Sequence, residues 1–202
     1  MSLQRTPEWY AARLGHATAS RATDILATIK SGEAAARRDY RTQLVVERLT
    51  GKPAEDVYIS ADMQRGIDHE PLAREAYEAR EGVLVEDVGF VHHPDIAWCG
   101  ASPDGFIGTR GLEIKCPRPA THLRYIKEGR VPPDYLPQVA MQAACAKRDS
   151  VDFVSYCDIM PPRLQLFVVT WAADPAYIAM IEEKVRQFLD EVEAELRQFE
   201  QM

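Results

Sequence analysis

The sequence is poor in the features that would take it out of the ordinary soluble class. No apolar run approaches the ~18 residues of a membrane span, and Met1–Thr6 lacks the apolar stretch of a secretory leader. A soluble, cytoplasmic protein is therefore expected. The four cysteines, Cys99, Cys116, Cys145 and Cys157, contain no C-x-x-C pair, which removes the usual nucleus of a zinc or iron–sulfur site. Free, partly buried thiols are expected instead. His92-His93-Pro94 reads as a strand end followed by a turn, because adjacent strand residues point to opposite faces. Repeats, low-complexity stretches and domain linkers are absent. Positive charge is also short, with 24 Lys+Arg against 31 Asp+Glu and a net charge of −7. Taken whole, that balance argues against a nucleic-acid partner.

What is present is a chain of 202 residues, 46% hydrophobic and 27% charged, enough for a core without disulfide or metal staples. The spacing predicts one domain with a helical N-terminal part (1–80), a sheet with helices (83–170) and a C-terminal helix (175–200). Glu8–Arg13 is a short helix ending near Gly15, and the Thr18 and Ser20 hydroxyls are placed to cap a helix through Ile25 and Leu26. Lys30–Ala36 reads as a loop. A helical stripe over Tyr40–Leu49 is closed by Gly51 and Pro53. Met63–Arg80 is a longer helix, with Ile67, Leu72, Ala76 and Ala79 as its apolar residues, Gly82 as its stop and Pro71 inside it. Short apolar runs between Val83 and Cys116, broken by Gly, Pro and Asp, predict three or four strands in a meander. Leu136–Ala146 is helical, Val151–Tyr156 and Leu164–Thr170 are strands, and Pro175–Phe199 is a long amphipathic helix. The class is α+β.

The chemistry concentrates in Ser102-Pro103-Asp104-Gly105 followed, eight residues on, by Glu113-Ile114-Lys115-Cys116-Pro117. On a strand, Glu113 and Lys115 share a face, and pairing of the Asp104 and Glu113 strands would bring three charged groups together. Two carboxylates and the Ile114 carbonyl make a hard oxygen site suited to Mg²⁺ or Mn²⁺. A lysine beside it can orient an attacking hydroxide, and the layout points to phosphodiester hydrolysis. Alone the pattern is weak, since charges alternate on many exposed strands. Here the charges interrupt an otherwise apolar strand, where they need partners. Gly105, Gly108 and Gly111 are read as leaving backbone clear for substrate.

These residues resemble the PD-(D/E)XK nuclease superfamily, and within it the lambda exonuclease and YqaJ-like phage recombinase group. Trp9–Ser20 (WYAARLGHATAS) is similar to that group's Trp-x(3)-Arg-Leu-Gly-x-x-Thr-Ala-Ser block. Arg65-Gly66 through Glu70, SPDG, LEIKCP and Tyr135–Val139 follow in the expected order. The resemblance implies a restriction-endonuclease-like core, a mixed β-sheet flanked by helices. It implies that Asp104, Glu113 and the Ile114 carbonyl hold two Mg²⁺ ions, which Mn²⁺ can replace, with Glu70 completing the site from a helix. Lys115 would activate the attacking water, and Gln138 would lie near the scissile phosphate. Arg13, Thr18, Ser20 and Ser102 would grip a 5′-terminal phosphate, for which an arginine fork with hydroxyl donors is suited.

The implied activity is a Mg²⁺-dependent 5′→3′ exonuclease on double-stranded DNA ends, releasing 5′-mononucleotides and leaving 3′ single-stranded tails for recombination. A ring-shaped homotrimer, a single-strand annealing recombinase as partner, and a phage or prophage origin are further implications. The rival readings are a structure-specific or restriction-type endonuclease, a Cas4-like nuclease with an iron–sulfur cluster, and an inactive DNA-end-binding module. No base-reading element is visible for the first, and the cysteines do not cluster as the second requires. The roles of His69 and the cysteines stay open, as does the wedge that would split the duplex. By segment the charge divides: residues 66–109 carry 9 acidic and 2 basic groups, 110–148 carry 3 and 8, and 171–202 carry 8 and 3. A basic face built from residues 115–130, Lys147, Arg148, Arg37, Arg38 and Arg41 is therefore expected toward DNA.

Overall fold

The computed structural model describes residues 4–54 and 60–202, so the first half of the Met1–Thr6 segment lies outside the described residues. The N-terminal part begins with α1 (Pro7–Arg13), capped by the Thr6 hydroxyl, which accepts from Trp9 N–H at 3.2 Å. A two-residue strand β1 (Ala17–Thr18), a 3₁₀ turn over Ala19–Arg21 and the short α2 (Ala22–Ile25) follow. The Thr18 and Ser20 hydroxyls do not cap this helix: they face each other at 3.3 Å, and Ser20 takes an Arg13 bond. Helix α3 (Ala35–Thr50) starts inside the segment expected to be a loop and ends on left-handed Gly51. Two alanines, two arginines and Asp39 precede Tyr40 in the helix, and no glycine or proline separates them from the stripe.

Helix α4 (Ala61–Glu81) is capped by Ser60, contains Pro71 and stops at left-handed Gly82. Its buried residues are Ala73 and Tyr77, whereas Leu72 is 46% exposed, so the expected apolar face was misplaced by about one residue. The meander expected over 83–116 is divided between two sheets. β2 (Val91–His92) and β3 (Cys99–Ala101) join β1 in a small sheet of order β1-β3-β2. β4 (Gly105–Ile107) and β5 (Arg110–Lys115) open a second sheet completed by β6 (Ser150–Tyr156) and β7 (Leu166–Ala172), in the order β4-β5-β6-β7. Val83–Val85 makes no strand, only an adjoining bridge from Glu86 to Phe106. β7 begins two residues later than expected because Pro162–Leu164 forms a 3₁₀ turn.

β5 and β6 run parallel, and parallel neighbours need a long crossover. That crossover carries α5 (Pro119–Glu128), which the sequence reading missed, and α6 (Leu136–Ala146). On β5 the period of two sends Leu112 and Ile114 to the face covered by Ala73 and Tyr77 of α4. The opposite face of the sheet, with Val151 and Phe153, packs against Val139 and Ala143 of α6 and Tyr125 of α5. Helix α7 (Pro175–Glu200) lies against α3 and α6, burying Ile181, Val185, Phe188, Leu189 and Val192. A mixed sheet flanked by helices is thus observed, as expected.

The polar side of α7 corrects the charge reading. Arg37 bonds Glu191 at 2.6 and 2.9 Å, and Arg41 bonds Glu195 at 2.9 Å and pairs with Glu33. These two arginines are therefore internal ties between α3 and α7. Neither belongs to a basic face presented to a ligand.

Candidate active site

The antiparallel pairing of β4 and β5 sets Gly105 opposite Leu112, which leaves Asp104 beside Glu113 at the end of the hairpin. Asp104 N–H donates to the Leu112 carbonyl at 2.9 Å, and its Oδ2 accepts the Ile114 N–H at 2.6 Å. Glu113 is 1% exposed on the face opposite Leu112 and Ile114. There Lys115 forms an ion pair with its Oε1, and Gln138 Nε2 donates to the same oxygen at 2.6 Å. Glu70 reaches the same cleft from α4, where Arg5 forms an ion pair with it.

The charges in this group constrain one another. Burial, then the charges of Glu113 and Glu70, push the Asp104 carboxyl well above the usual carboxylate range, with Lys115 opposing. Burial works against the Lys115 ammonium, but Glu113 and Asp104 outweigh it and hold the group above the ordinary lysine value. Lys115 is thus a fixed cation, its Nζ 5.0 Å from the Tyr135 ring centroid. Burial pushes the neighbouring Cys116 thiol up to about 12, so it is protonated near neutral pH and is a poor nucleophile. All four cysteines are free and buried.

A second cluster lies alongside. Arg13 Nη1 donates to Ser102 Oγ at 2.9 Å and Nη2 to Ser20 Oγ at 3.3 Å. The guanidinium lies 4.3 Å from the Trp9 ring centroid and 5.9 Å from that of Phe90. Its bonds here are to hydroxyls rather than to a carboxylate, and burial lowers its pKa. A desolvated arginine held by hydroxyls and stacked on an indole is a cation prepared for an anion. Thr18 N–H donates to the Tyr40 hydroxyl at 2.9 Å, which fixes the β1 end of this pocket to α3. The connection before it is fastened as well: Gly15 N–H donates to Glu47 at 2.8 Å.

The two clusters share space. A cavity of about 170 Å³ is lined by Arg13, Ser20 and Ser102 together with Asp104, Glu113 and Lys115. It adjoins a wider cleft of about 1380 Å³ whose walls include Arg13, Thr18, Glu70, Asp104 and Lys115. The structure therefore brings together every side chain expected at the site.

The sequence reading passed over four others. Trp9 Nε1 donates to Ser102 at 3.0 Å, Gln142 binds Glu113, Tyr135 faces Lys115, and Arg5 faces Glu70. Trp9–Arg13 and Gln138–Gln142 are each four apart on a helix, a spacing that puts two side chains on one face. One expectation about this region is corrected. The three glycines do not clear room for substrate: a Cβ at Gly105 would meet Val85 at 2.1 Å and one at Gly111 would meet Val151 at 3.3 Å, while Gly108 turns the hairpin at φ +57°. His69 faces elsewhere, bonding the Arg65 carbonyl at 2.9 Å and lying 3.4 Å from Asp158.

Among the described residues no three His, Cys, Asp or Glu side chains stand ready around one ion. The donor set still suits Mg²⁺, which is typically bound by one or two carboxylates, with waters and substrate oxygens completing its shell. Asp104, Glu113 and the Ile114 carbonyl are all oxygen donors, and the crowding of negative charge on Asp104 is what a divalent cation would relieve.

Residues 8–149 match the family described as the YqaJ-like viral recombinase domain. No curated protein sequence matches the chain. Among solved structures it is similar to the alkaline exonuclease LHK-Exo from Laribacter hongkongensis, at 45% identity and a TM-score of 0.89, with 97% of each chain covered. LHK-Exo in complex with dAMP is similar at 44% identity, a TM-score of 0.90 and the same coverage. A phage-related exonuclease from Haemophilus somnus shares 13% identity over 90% of this chain and 96% of its own, with a TM-score of 0.68. The last likeness is one of fold. The architecture is that of the PD-(D/E)XK nucleases.

Proposed function

This chain belongs to the YqaJ-like viral recombinase family, and we propose from that premise that it is a Mg²⁺-dependent 5′→3′ exonuclease acting on double-stranded DNA ends. Its likeness to an alkaline exonuclease over 97% of both chains supports the exonuclease role. The observation that carries the finer reading is the shared cavity: a desolvated arginine with two serine hydroxyls opens onto the same small space as Asp104, Glu113 and Lys115. An endonuclease has no use for a terminal-phosphate pocket beside its carboxylates, whereas an exonuclease that measures from a 5′ end does.

In this reading Arg13, Ser20 and Ser102 bind the 5′-phosphate and Thr18 supports them, which sets the first internucleotide linkage over the carboxylates. Asp104, Glu113 and the Ile114 carbonyl hold the cation, with Glu70 nearby. When bound, Mg²⁺ supplies Lewis-acid stabilisation of the charge that develops on the phosphoryl oxygens. Lys115, kept cationic by Glu113 and Asp104, orients the attacking water and stabilises negative charge there. Gln138 holds Glu113 in place. The products are 5′-mononucleotides, in keeping with a relative that binds dAMP, and a 3′ single-stranded tail. A homotrimeric ring around the duplex and an annealing recombinase that takes over the tail complete the proposal.

The test compares linear duplexes carrying 5′-phosphate or 5′-hydroxyl ends with closed circular DNA. Faster digestion of phosphorylated strands, mononucleotide products and intact circles are expected. Equal cutting of circles would overturn the exonuclease reading.

A further inference from the structure

Glu113 is held on both of its oxygens by one helix. Gln138 Nε2 donates to Oε1 and, one turn later on α6, Gln142 Nε2 donates to Oε2 at 2.5 Å. Gln142 is itself 1% exposed, yet its own Oε1 has no hydrogen-bond partner among the described residues. The amide orientation is fixed by chemistry, because a carboxylate only accepts and the NH₂ must face it. The carbonyl is therefore left over, although buried polar groups are nearly always paired. Gln142 also lines the 170 Å³ cavity that joins Arg13 and Ser102 to Asp104 and Lys115. That volume has ample room for a water, which needs only ~10–15 Å³ of such space.

We propose that Gln142 is a second positioning residue of the hydrolytic site. Its Nε2 fixes the Glu113 carboxylate in the orientation that receives the divalent cation, and its Oε1 accepts a hydrogen bond from a water held in the cavity beside Lys115. A carboxylate gripped on one oxygen alone can swing about its last torsion; gripped on both, it cannot. The inference rests on the reading of Glu113 as a cation ligand given above.

The test measures Mn²⁺ binding to the DNA-free protein by titration calorimetry, with hydrolysis of a 5′-phosphorylated linear duplex over a range of Mn²⁺. Gln142→Met keeps the volume and removes both hydrogen-bonding groups; Gln142→Asn keeps the amide but draws it back by one methylene. Both are expected to weaken Mn²⁺ binding about 10- to 100-fold, the usual effect of losing a partner of a metal ligand. Both should lower kcat without raising KM for DNA ends, and excess Mn²⁺ should restore part of the lost rate. Wild-type affinity and kcat in the folded Met variant, or in the Asn variant should the Met variant not fold, would overturn the inference. So would a raised KM with unchanged kcat. Glu113→Gln separates the two readings. If that variant loses Mn²⁺ while Gln142→Met retains it, the Gln142 inference alone fails; if it binds Mn²⁺ like the wild type, the ligand role of Glu113 fails as well.

Discussion

Replacing Arg13 by alanine removes the charged member of the proposed phosphate pocket. Its guanidinium touches Ser102 at 2.9 Å and Ser20 at 3.3 Å and stacks on Trp9. Two of its donors are thus directed at hydroxyls that a terminal phosphate would share or displace. A hydrogen bond between charged partners contributes about 1.5–3 kcal/mol, and a fork engages two. Competition from water in the open cleft reduces the sum, so a loss of about 2–4 kcal/mol in transition-state binding is expected for phosphorylated ends. At about 1.4 kcal/mol per factor of ten, that is roughly 30- to 700-fold in kcat/KM. A 5′-hydroxyl end never used the dianion contact, and its kcat/KM should change by less than about threefold. The fold should tolerate the change, because Arg13 is desolvated against its own charge. The assay is competition between end-labelled duplexes that differ only in the 5′ group, read as the ratio of digestion rates. An equal fall on both ends would refute the assignment of the pocket, since Arg13 would then be acting on something common to both substrates.

Lys115→Ala should reduce hydrolysis by at least about 10²-fold while duplex binding persists; gel-shift affinity beside single-turnover rates checks it, and full activity would remove the proposed role. Phe188 is fully buried and stacks on Tyr40 at 5.4 Å. Phe188→Ala should cost about 3–5 kcal/mol and lower Tm by about 6–20 °C. It should also weaken use of 5′-phosphorylated ends, because Tyr40 anchors Thr18. Stability should fall in mild acid through His93. Burial, only partly offset by Glu182, holds its pKa below the ordinary value, and its Nδ1 already accepts the Asp95 and Ile96 N–H groups at 3.1 Å. The unfolded chain therefore takes up a proton that the folded one resists, so stability is complete above about pH 6.5 and is lost as pH falls below it. His93→Gln should start less stable, and its Tm should decline less than wild type between pH 7 and 5.5.

How much of this could be read in the sequence depends on the range of the interaction. Glu113 and Lys115 were legible as a same-face pair because strand period is local, and Asp104 followed once a hairpin was assumed. The Arg13 pocket was legible only through family likeness: nothing in spacing says that residue 102 will meet residue 13. Helix α5 left little trace, since its buried residues are only His122 and Tyr125, too few for a stripe. The division into two sheets was hidden because β1 has two residues and pairs with a strand some eighty positions away. Charge counting failed at Arg37 and Arg41 for a related reason. Composition records the charges, while their partners Glu191 and Glu195 sit on a helix about 150 residues later.

The same long-range pairings determine when the protein can become active. β1 is parallel to β3, and β5 is parallel to a β6 that arrives only after two intervening helices. Contacts of that separation carry a loop-closure cost before they return any stabilisation, and they form late. Glu113 cannot be gripped by α6 until the crossover has closed, and Arg13 cannot reach Ser102 until β1 has docked. A partly folded form that has its helices and the local β4-β5 hairpin, but not these two parallel pairings, keeps its carboxylates and lysine together yet lacks the α6 grip on Glu113 and the arginine beside them. Competence to cut is thus tied to the last contacts to form, and an incomplete molecule is a silent one.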